Sequence, residues 1–417
     1  ESKADKKTQT RKVFFSTDGG AMATVSAAMS AAVEKAFRIV DPGNRLYPMG
    51  DGGAFAAPAT ALQYLGTVVS SNGVEGTITV KLTKANKKTG LFNISATVKT
   101  LVGKQTYSFK TNKVAVVSSD EVLTVELFGT NSKSKQHTLE LTFDGDSVTG
   151  FFDDDMSING ARYVFSTKND EKRNAITNFV GTWTGAFDGM WDEAKVPGTT
   201  NQIRTTFSAK LTSKGAATVK VRMPNRKLLS YSTKAEVGED GIVVVPVMVW
   251  QTVSGGKRSF AFRLAFYMDG GVAYCEAVDI SPVQDWVKKT GEITTVAEPE
   301  FREADRLVQT VTAKDFKANY DVDVSELEER IMEQCLVPPS ARKVSLKLTV
   351  SSGVISGSVK WSGGQFLVNG KAKKKTITGK LNGYLIGEEG YGTITVKIGS
   401  ETGTYNFTAY RHGNYVN

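Results

Sequence analysis

Five aspartates, Asp144, Asp146, Asp153, Asp154 and Asp155, lie close together between strand-like segments. Oxygen-rich loops of this kind hold calcium, because carboxylates at alternating positions can converge on one hard cation. Asp144, Asp146, Asp153 and Asp155 are therefore the candidate metal ligands, and calcium is the one cofactor these residues suggest. The competing reading is bland. Phe143-Asp144-Gly145-Asp146 and Asp153 to Asp155 also suit two ordinary hairpin turns, which Asp and Gly favour.

The other reactive residue types are sparse. His137 and His412 are the only histidines, and no Ser/His/Asp, Cys/His or HExxH arrangement has local support. The sequence therefore predicts no enzyme active site. A pair of carboxylates distant in sequence, as glycosidases use, is the one enzymatic chemistry it leaves open. Cys275 and Cys335 are too isolated from other ligands to bind a metal. They are either one disulfide, which would suit an exported protein, or two small buried thiols.

The run Lys371-Ala372-Lys373-Lys374-Lys375 could grip nucleic acid, an anionic glycan or a membrane surface. It equally fits a strand edge, where lysines deter unwanted pairing. Trp361, Phe366, Tyr384 and Tyr391 could stack on sugars or bases, although their alternation with apolar residues favours a core. Nucleic acid is the weaker partner on these grounds, and a surface glycan the better one. The glycine-rich Asp51-Gly52-Gly53 lacks the strand–loop–helix context of a phosphate cradle.

The elements that must carry these residues are mostly strands. At 417 residues the chain needs more than one domain. It holds 40 glycines but only 10 prolines, which with abundant Thr, Val and Ser suits many short strands joined by glycine turns. No apolar run is long enough to cross a membrane as a helix. The chain opens on Glu1, as expected if a leader or a longer N-terminal region has been removed.

Charge is unevenly spread over the net +9. Glu276 to Cys335 carries 7 basic and 15 acidic residues, whereas Ala341 to Asn417 carries 11 and 3. These opposed segments could lie against each other in one molecule, join the basic end of one subunit to the acidic stretch of the next, or simply be solvated.

The fold expected is mainly all-β: tandem β-sandwich-like modules with an N-terminal helix and a short acidic helical insertion. Residues 1–60 form an N-terminal strand and helix segment, with Ala21 to Val40 carrying Val25, Met29, Val33 and Phe37 at helical spacing. Residues 61–170 and 171–285 form two β modules, with strands about every ten residues. Residues 286–340 form an acidic linker whose Ser325-Glu326-Leu327-Glu328 fits a capping box. Residues 341–417 form a basic third module.

Internal repeats support this division. Lys-Leu-Thr recurs at Lys81, Lys210 and Lys347, and Gly76-Thr77-Ile78-Thr79-Val80-Lys81-Leu82 reappears as Gly392-Thr393-Ile394-Thr395-Val396-Lys397-Ile398. Tyr107-Ser108-Phe109 is echoed in Phe260-Ala261-Phe262 and Tyr405-Asn406-Phe407.

The phrase Lys347-Leu348-Thr349-Val350-Ser351-Ser352-Gly353-Val354-Ile355-Ser356-Gly357-Ser358-Val359 resembles the repeated β modules of large secreted bacterial cell-surface proteins. Gly103-Lys104-Gln105-Thr106-Tyr107-Ser108-Phe109 is similar to the strand that follows in those modules. The resemblance implies an extracellular or cell-surface setting and a structural or adhesive role.

One further pattern bears on assembly. Arg11-Lys12-Val13-Phe14-Phe15-Ser16-Thr17 resembles Arg162-Tyr163-Val164-Phe165-Ser166-Thr167, read as the last strand of the first module. A strand built on Val13, Phe14 and Phe15 could add to an open sheet of a neighbouring copy, or complete a sheet in its own chain. The sequence therefore points to a structural subunit of a filament, appendage or surface layer, with the chain itself as partner. The alternatives are a monomeric adhesin or glycan-binding protein, and a virion structural protein.

Overall fold

The computed structural model describes residues 14–17 and 21–24, and then 55–412 apart from 115–121, 131–135, 154, 167–170, 191–202, 224–226, 239–240, 308–310, 350–351, 369–370 and 399–400. The chain divides into two compact units, Glu1–Pro48 and Met49–Asn417. In the first, β1 (Phe14–Thr17) pairs antiparallel with β2 (Ala21–Thr24), Phe15 opposite Ala23. The helix anticipated over Ala21 to Val40 therefore begins as a strand, because pairing across an Asp-Gly-Gly sequence outweighs its helical spacing. Val13 and the remainder of that stretch lie outside the described residues.

The second unit holds three β modules, so the chain is mainly β, as its composition predicts. The first is a closed, eight-stranded antiparallel barrel: β3 (Leu62–Ser70), β4 (Gly73–Leu82), β5 (Phe92–Thr100), β6 (Thr106–Val114), β7 (Leu123–Thr130), β8 (Gln136–Asp144), β9 (Ser147–Phe152) and β10 (Met156–Arg162). Each strand pairs with its sequence neighbour, and β10 returns to β3. Alternating side chains point inward, as in β4, where Ile78, Val80 and Leu82 are buried. Eight strands enclose an interior just wide enough for side chains to fill. Here Phe109, Phe143, Phe152, Ile94 and Leu141 fill it, and Phe55 packs at one end, 5.5 Å from Phe143.

Closure needs glycine. Gly66 and Gly160 oppose each other at the β3–β10 seam. A Cβ on Gly66 would stand 2.7 Å from the Asn159 carbonyl, closer than real contacts allow.

The second module follows a 3₁₀ segment (Glu171–Phe179) and packs two sheets over one core. Its strands are β11 (Gly181–Met190), β12 (Ile203–Leu211), β13 (Ala216–Arg222), β14 (Leu228–Lys234), β15 (Glu236–Val237), β16 (Val243–Val253), β17 (Gly256–Asp269), β18 (Val272–Val278), β19 (Val283–Val287), β20 (Ile293–Ala297) and β21 (Glu300–Arg306). One sheet runs β14-β13-β12-β11-β21, and the other β15-β16-β17-β19-β20 with β18 also on β17. Trp183, Phe187 and Phe207 from the first meet Phe260, Phe262 and Phe266 from the second. Phe187 and Phe262 are 4.8 Å apart.

The third module contains α1 (Ala313–Asn319), β22 (Tyr320–Asp323), α2 (Ser325–Gln334), β23 (Cys335–Val337), β24 (Ala341–Thr349), β25 (Val354–Ser362), β26 (Gln365–Val368), β27 (Lys371–Lys374), β28 (Ile377–Ile386), β29 (Glu389–Ile398) and β30 (Glu401–Arg411). Its main sheet runs β22-β30-β29-β28-β25-β24, with β23-β26-β27 as a smaller one. Phe316, Leu327 and Ile331 from the two helices join Ile355, Val359, Trp361 and Ile394 in its core.

Residues 286–340, read from the sequence as a linker, are thus shared out. β20 and β21 belong to the second module's sheets, while α1, β22, α2 and β23 build the third. The capping-box spacing at Ser325 and Glu328 serves another purpose. Val324 occupies the N-cap without a side-chain bond, and Glu328 Oε1 instead accepts from Trp361 Nε1 at 3.0 Å.

Neighbouring modules are firmly joined. Between the first and second, Trp250 Nε1 donates to the Leu101 carbonyl at 2.7 Å, and Val74, Leu101, Met248 and Ala261 bury one another. Arg263, 1% exposed, pairs with Asp279, whose own carbonyl accepts from Val74 N.

Candidate functional site

The outer faces of two sheets meet where the second module touches the third. Along each strand the residues that alternate with the core point to this face. Thr184 Oγ1 donates to the Leu385 carbonyl at 2.6 Å, and Arg222 Nη1 to Asn382 Oδ1 at 2.5 Å. Arg204 is 8% exposed. Its backbone amide donates to Asn406 Oδ1 at 2.7 Å, its Nε donates to Asp188 Oδ1 at 2.7 Å, and its guanidinium lies over the Tyr391 ring. Arg302 Nη1 reaches the other Asp188 oxygen at 2.9 Å. Burial pushes the Asp188 carboxyl up, but Arg204 and Arg302 outweigh it and hold it below the usual carboxylate range. The Tyr391 hydroxyl is pushed well above its ordinary value by burial and by Glu389 and Glu303. This is a structural junction: Thr184, Arg204, Arg222, Asp188 and Arg302 each spend polar groups on neighbours across or beside it.

The same outer face of the third module continues past that junction into open solvent. In β25, Ile355, Val359 and Trp361 point to the core, so Ser356, Ser358 and Lys360 point outward. The register carries this order across the sheet. Lys343 stands opposite Lys360, and Lys360 opposite Thr378. The next row runs Ser345, Ser358, Lys380, Thr395, Thr404. Lys347 faces Ser356, and Lys397 faces Thr402. Lys343, Lys347, Lys360, Lys380 and Lys397 are all exposed. None forms an ion pair among the described residues. Between Ala341 and Ile386 the chain has nine basic residues and no acidic one.

The anticipated metal cluster is divided. Asp144 and Asp146 lie at the β8–β9 turn and Asp153 and Asp155 at the β9–β10 turn, on opposite ends of the six-residue β9. One ion cannot bridge them. Asp146 pairs with Arg162 and Lys172; burial raises its pKa, and these two cations more than reverse that. Asp153 Oδ2 lies 2.6 Å from His137 Nδ1, and its Oδ1 accepts from Thr138 N. Among the described residues no three potential ligands converge. The hairpin-turn reading is the one the structure has.

The cysteines are two free thiols in different modules. Cys275 is buried in the second module's core, and Cys335 donates to the Met332 carbonyl at 3.4 Å. Phe14 and Phe15 pair within the β1–β2 hairpin. The strand whose sequence they resemble ends at Arg162, with Val164–Ser166 turning into a 3₁₀ segment. The barrel is closed and offers that strand no open edge. Trp361, Phe366, Tyr384 and Tyr391 are all buried, so they are core and junction residues and not a stacking platform. Lys371, Lys373 and Lys374 are exposed on the outermost strand of the small sheet.

The opposed charge segments partly meet inside the third module, where Arg342 Nε lies 3.3 Å from Glu328 Oε1 and His412 Nε2 3.1 Å from Asp321. Beneath Arg342, a cleft of about 280 Å³ is lined by Glu328, Ile331, Met332, Pro339 and Trp361. The chain matches no protein-family model and no curated protein.

The lysine face is the feature that sequence reasoning missed. Its members lie on four strands separated by turns and a hairpin, and only the register brings them together. The signal available was the long stretch without an acidic residue.

Proposed function

We propose that this chain is a structural subunit of an extracellular or cell-surface assembly, its copies joined head to tail through β contacts. The supporting observation is a pair of open sheet edges of opposite charge. β24 ends the third module's main sheet and carries Arg342, Lys343 and Lys347. Among the described residues no backbone bond runs from it to a strand on its outer side. β20 ends a sheet of the second module, and Glu292 and Glu298 flank it. Ile293 on β20 is 50% exposed. Unpaired edges are templates for strand addition, and a contact between two different edges repeats from copy to copy and grows into a fibre. The likeness of Lys347 to Val359 to secreted bacterial surface modules supports the cell-surface setting.

Sedimentation velocity and negative-stain microscopy test this at about 10 μM protein, in low salt and in about 0.5 M salt, where exposed charges are screened. Polymers are expected in low salt, with loss in high salt and in Ile293→Lys, which sets a like charge against β24. Monomers of the unaltered chain in low salt would overturn the proposal.

A further inference from the structure

The exposed half of the third module's main sheet is a regular array of ammonium and hydroxyl groups. We propose that it is a docking surface for an acidic polysaccharide, a chain whose sugars carry carboxylate or other anionic groups.

Lys343 and Lys360 stand directly across from each other on adjacent strands. Like charges in that position destabilise a sheet, and no acidic side chain on β24, β25 or β28 relieves them. An anion lying between them would. Lys380 and Lys397 extend the positive field towards the far edge, with Ser345, Ser358, Thr378, Thr395 and Thr402 as hydrogen-bonding neighbours. Within a row, groups on neighbouring strands repeat at the strand spacing of about 4.8 Å, comparable to one sugar unit. The face therefore presents a charge or a hydroxyl to successive sugars of an extended chain lying across the strands.

The same residues argue against other anionic partners. Single-stranded nucleic acid needs aromatic platforms for its bases. The aromatics nearest this face, Tyr384 and Tyr391, are 1% and 3% exposed under the second module. A membrane surface favours apolar side chains that insert beside the basic ones, and Lys, Ser and Thr make up the exposed rows. Neutral sugars would need the same missing stacking surface. The proposal does not depend on whether copies of the chain associate, because its central lysines lie inside the sheet and not on the β24 or β20 edge.

The test is calorimetric binding of polygalacturonate by the full chain in about 50 mM salt. Dextran, a DNA duplex and phosphatidylglycerol vesicles serve as comparison ligands. Binding to polygalacturonate but not to dextran is expected. The triple substitution Lys360→Gln, Lys380→Gln and Lys397→Gln should weaken it about ten-fold or more, as loss of electrostatic contacts to a polyanion does. An equal charge change on the first module's barrel, Lys81→Gln, Lys99→Gln and Lys110→Gln, all exposed, should leave it within two-fold, or about 0.4 kcal/mol. Ile293→Lys should bind as the unaltered chain does, even if it abolishes association. The proposal is overturned by absence of polygalacturonate binding, by tighter binding to DNA or vesicles, or by equal losses in the two triple variants.

Discussion

The Arg204 guanidinium of the second module lies 4.9 Å above the ring of Tyr391 in the third. Asp188 fixes it there through Nε, and Arg302 approaches the same ring at 5.0 Å. Two modules that could each bury their own core are thereby held as one body. Cation–π and ion-pair contacts gain strength when water is excluded, and Arg204 is almost fully enclosed.

Arg204→Ala should therefore destabilise the chain by about 2 kcal/mol. That lies between the cost of breaking a fully buried pair and the small worth of an exposed one, because Asp188 keeps a side-chain exposure of 30%. Guanidinium-induced unfolding followed by tryptophan fluorescence would measure it. Tyr391→Phe, which keeps the ring, should cost less.

The same cluster predicts a pH response. The Asp188 carboxyl is depressed in the folded chain. Its contribution is thus complete above the unfolded aspartate value of about 3.9 and is lost as pH falls through the lower folded value. Unfolding midpoints compared at neutral pH and near pH 3 should fall, and Asp188→Asn should show a smaller fall from a lower starting stability.

The thiols should behave differently from each other. Burial pushes the Cys275 thiol well up, and it is 4% exposed, whereas Cys335 is half-buried. Reactivity follows thiolate fraction and access. A thiol reagent should label Cys335 alone in the native chain and both residues in denaturant. Reducing agent should leave the melting temperature unchanged.

Local pattern made much of this architecture legible. Alternation of Thr and Val predicts strands because side chains on a pleated strand switch face at every residue. The heptads at Gly76 and Gly392 do adopt the same state: Ile78, Val80 and Leu82 are buried in β4, as are Ile394, Val396 and Ile398 in β29. The Tyr-x-Phe echoes are less equivalent. One full strand, β5, separates β4 from the Tyr107 strand, while Tyr405 follows β29 directly on β30.

The sequence by itself determined that the chain would be β-rich and modular, where most strands run, and which of their residues turn inward, since all of these rest on short-range periodicity and turn chemistry. The tertiary structure alone decided that β10 returns to β3 to close a barrel, that Glu328 serves Trp361 and Arg342, and that five lysines share one face. Each of those outcomes depends on which distant strands pair and in what register. The sum of core packing over many strands sets that choice, and no spacing along the chain records it.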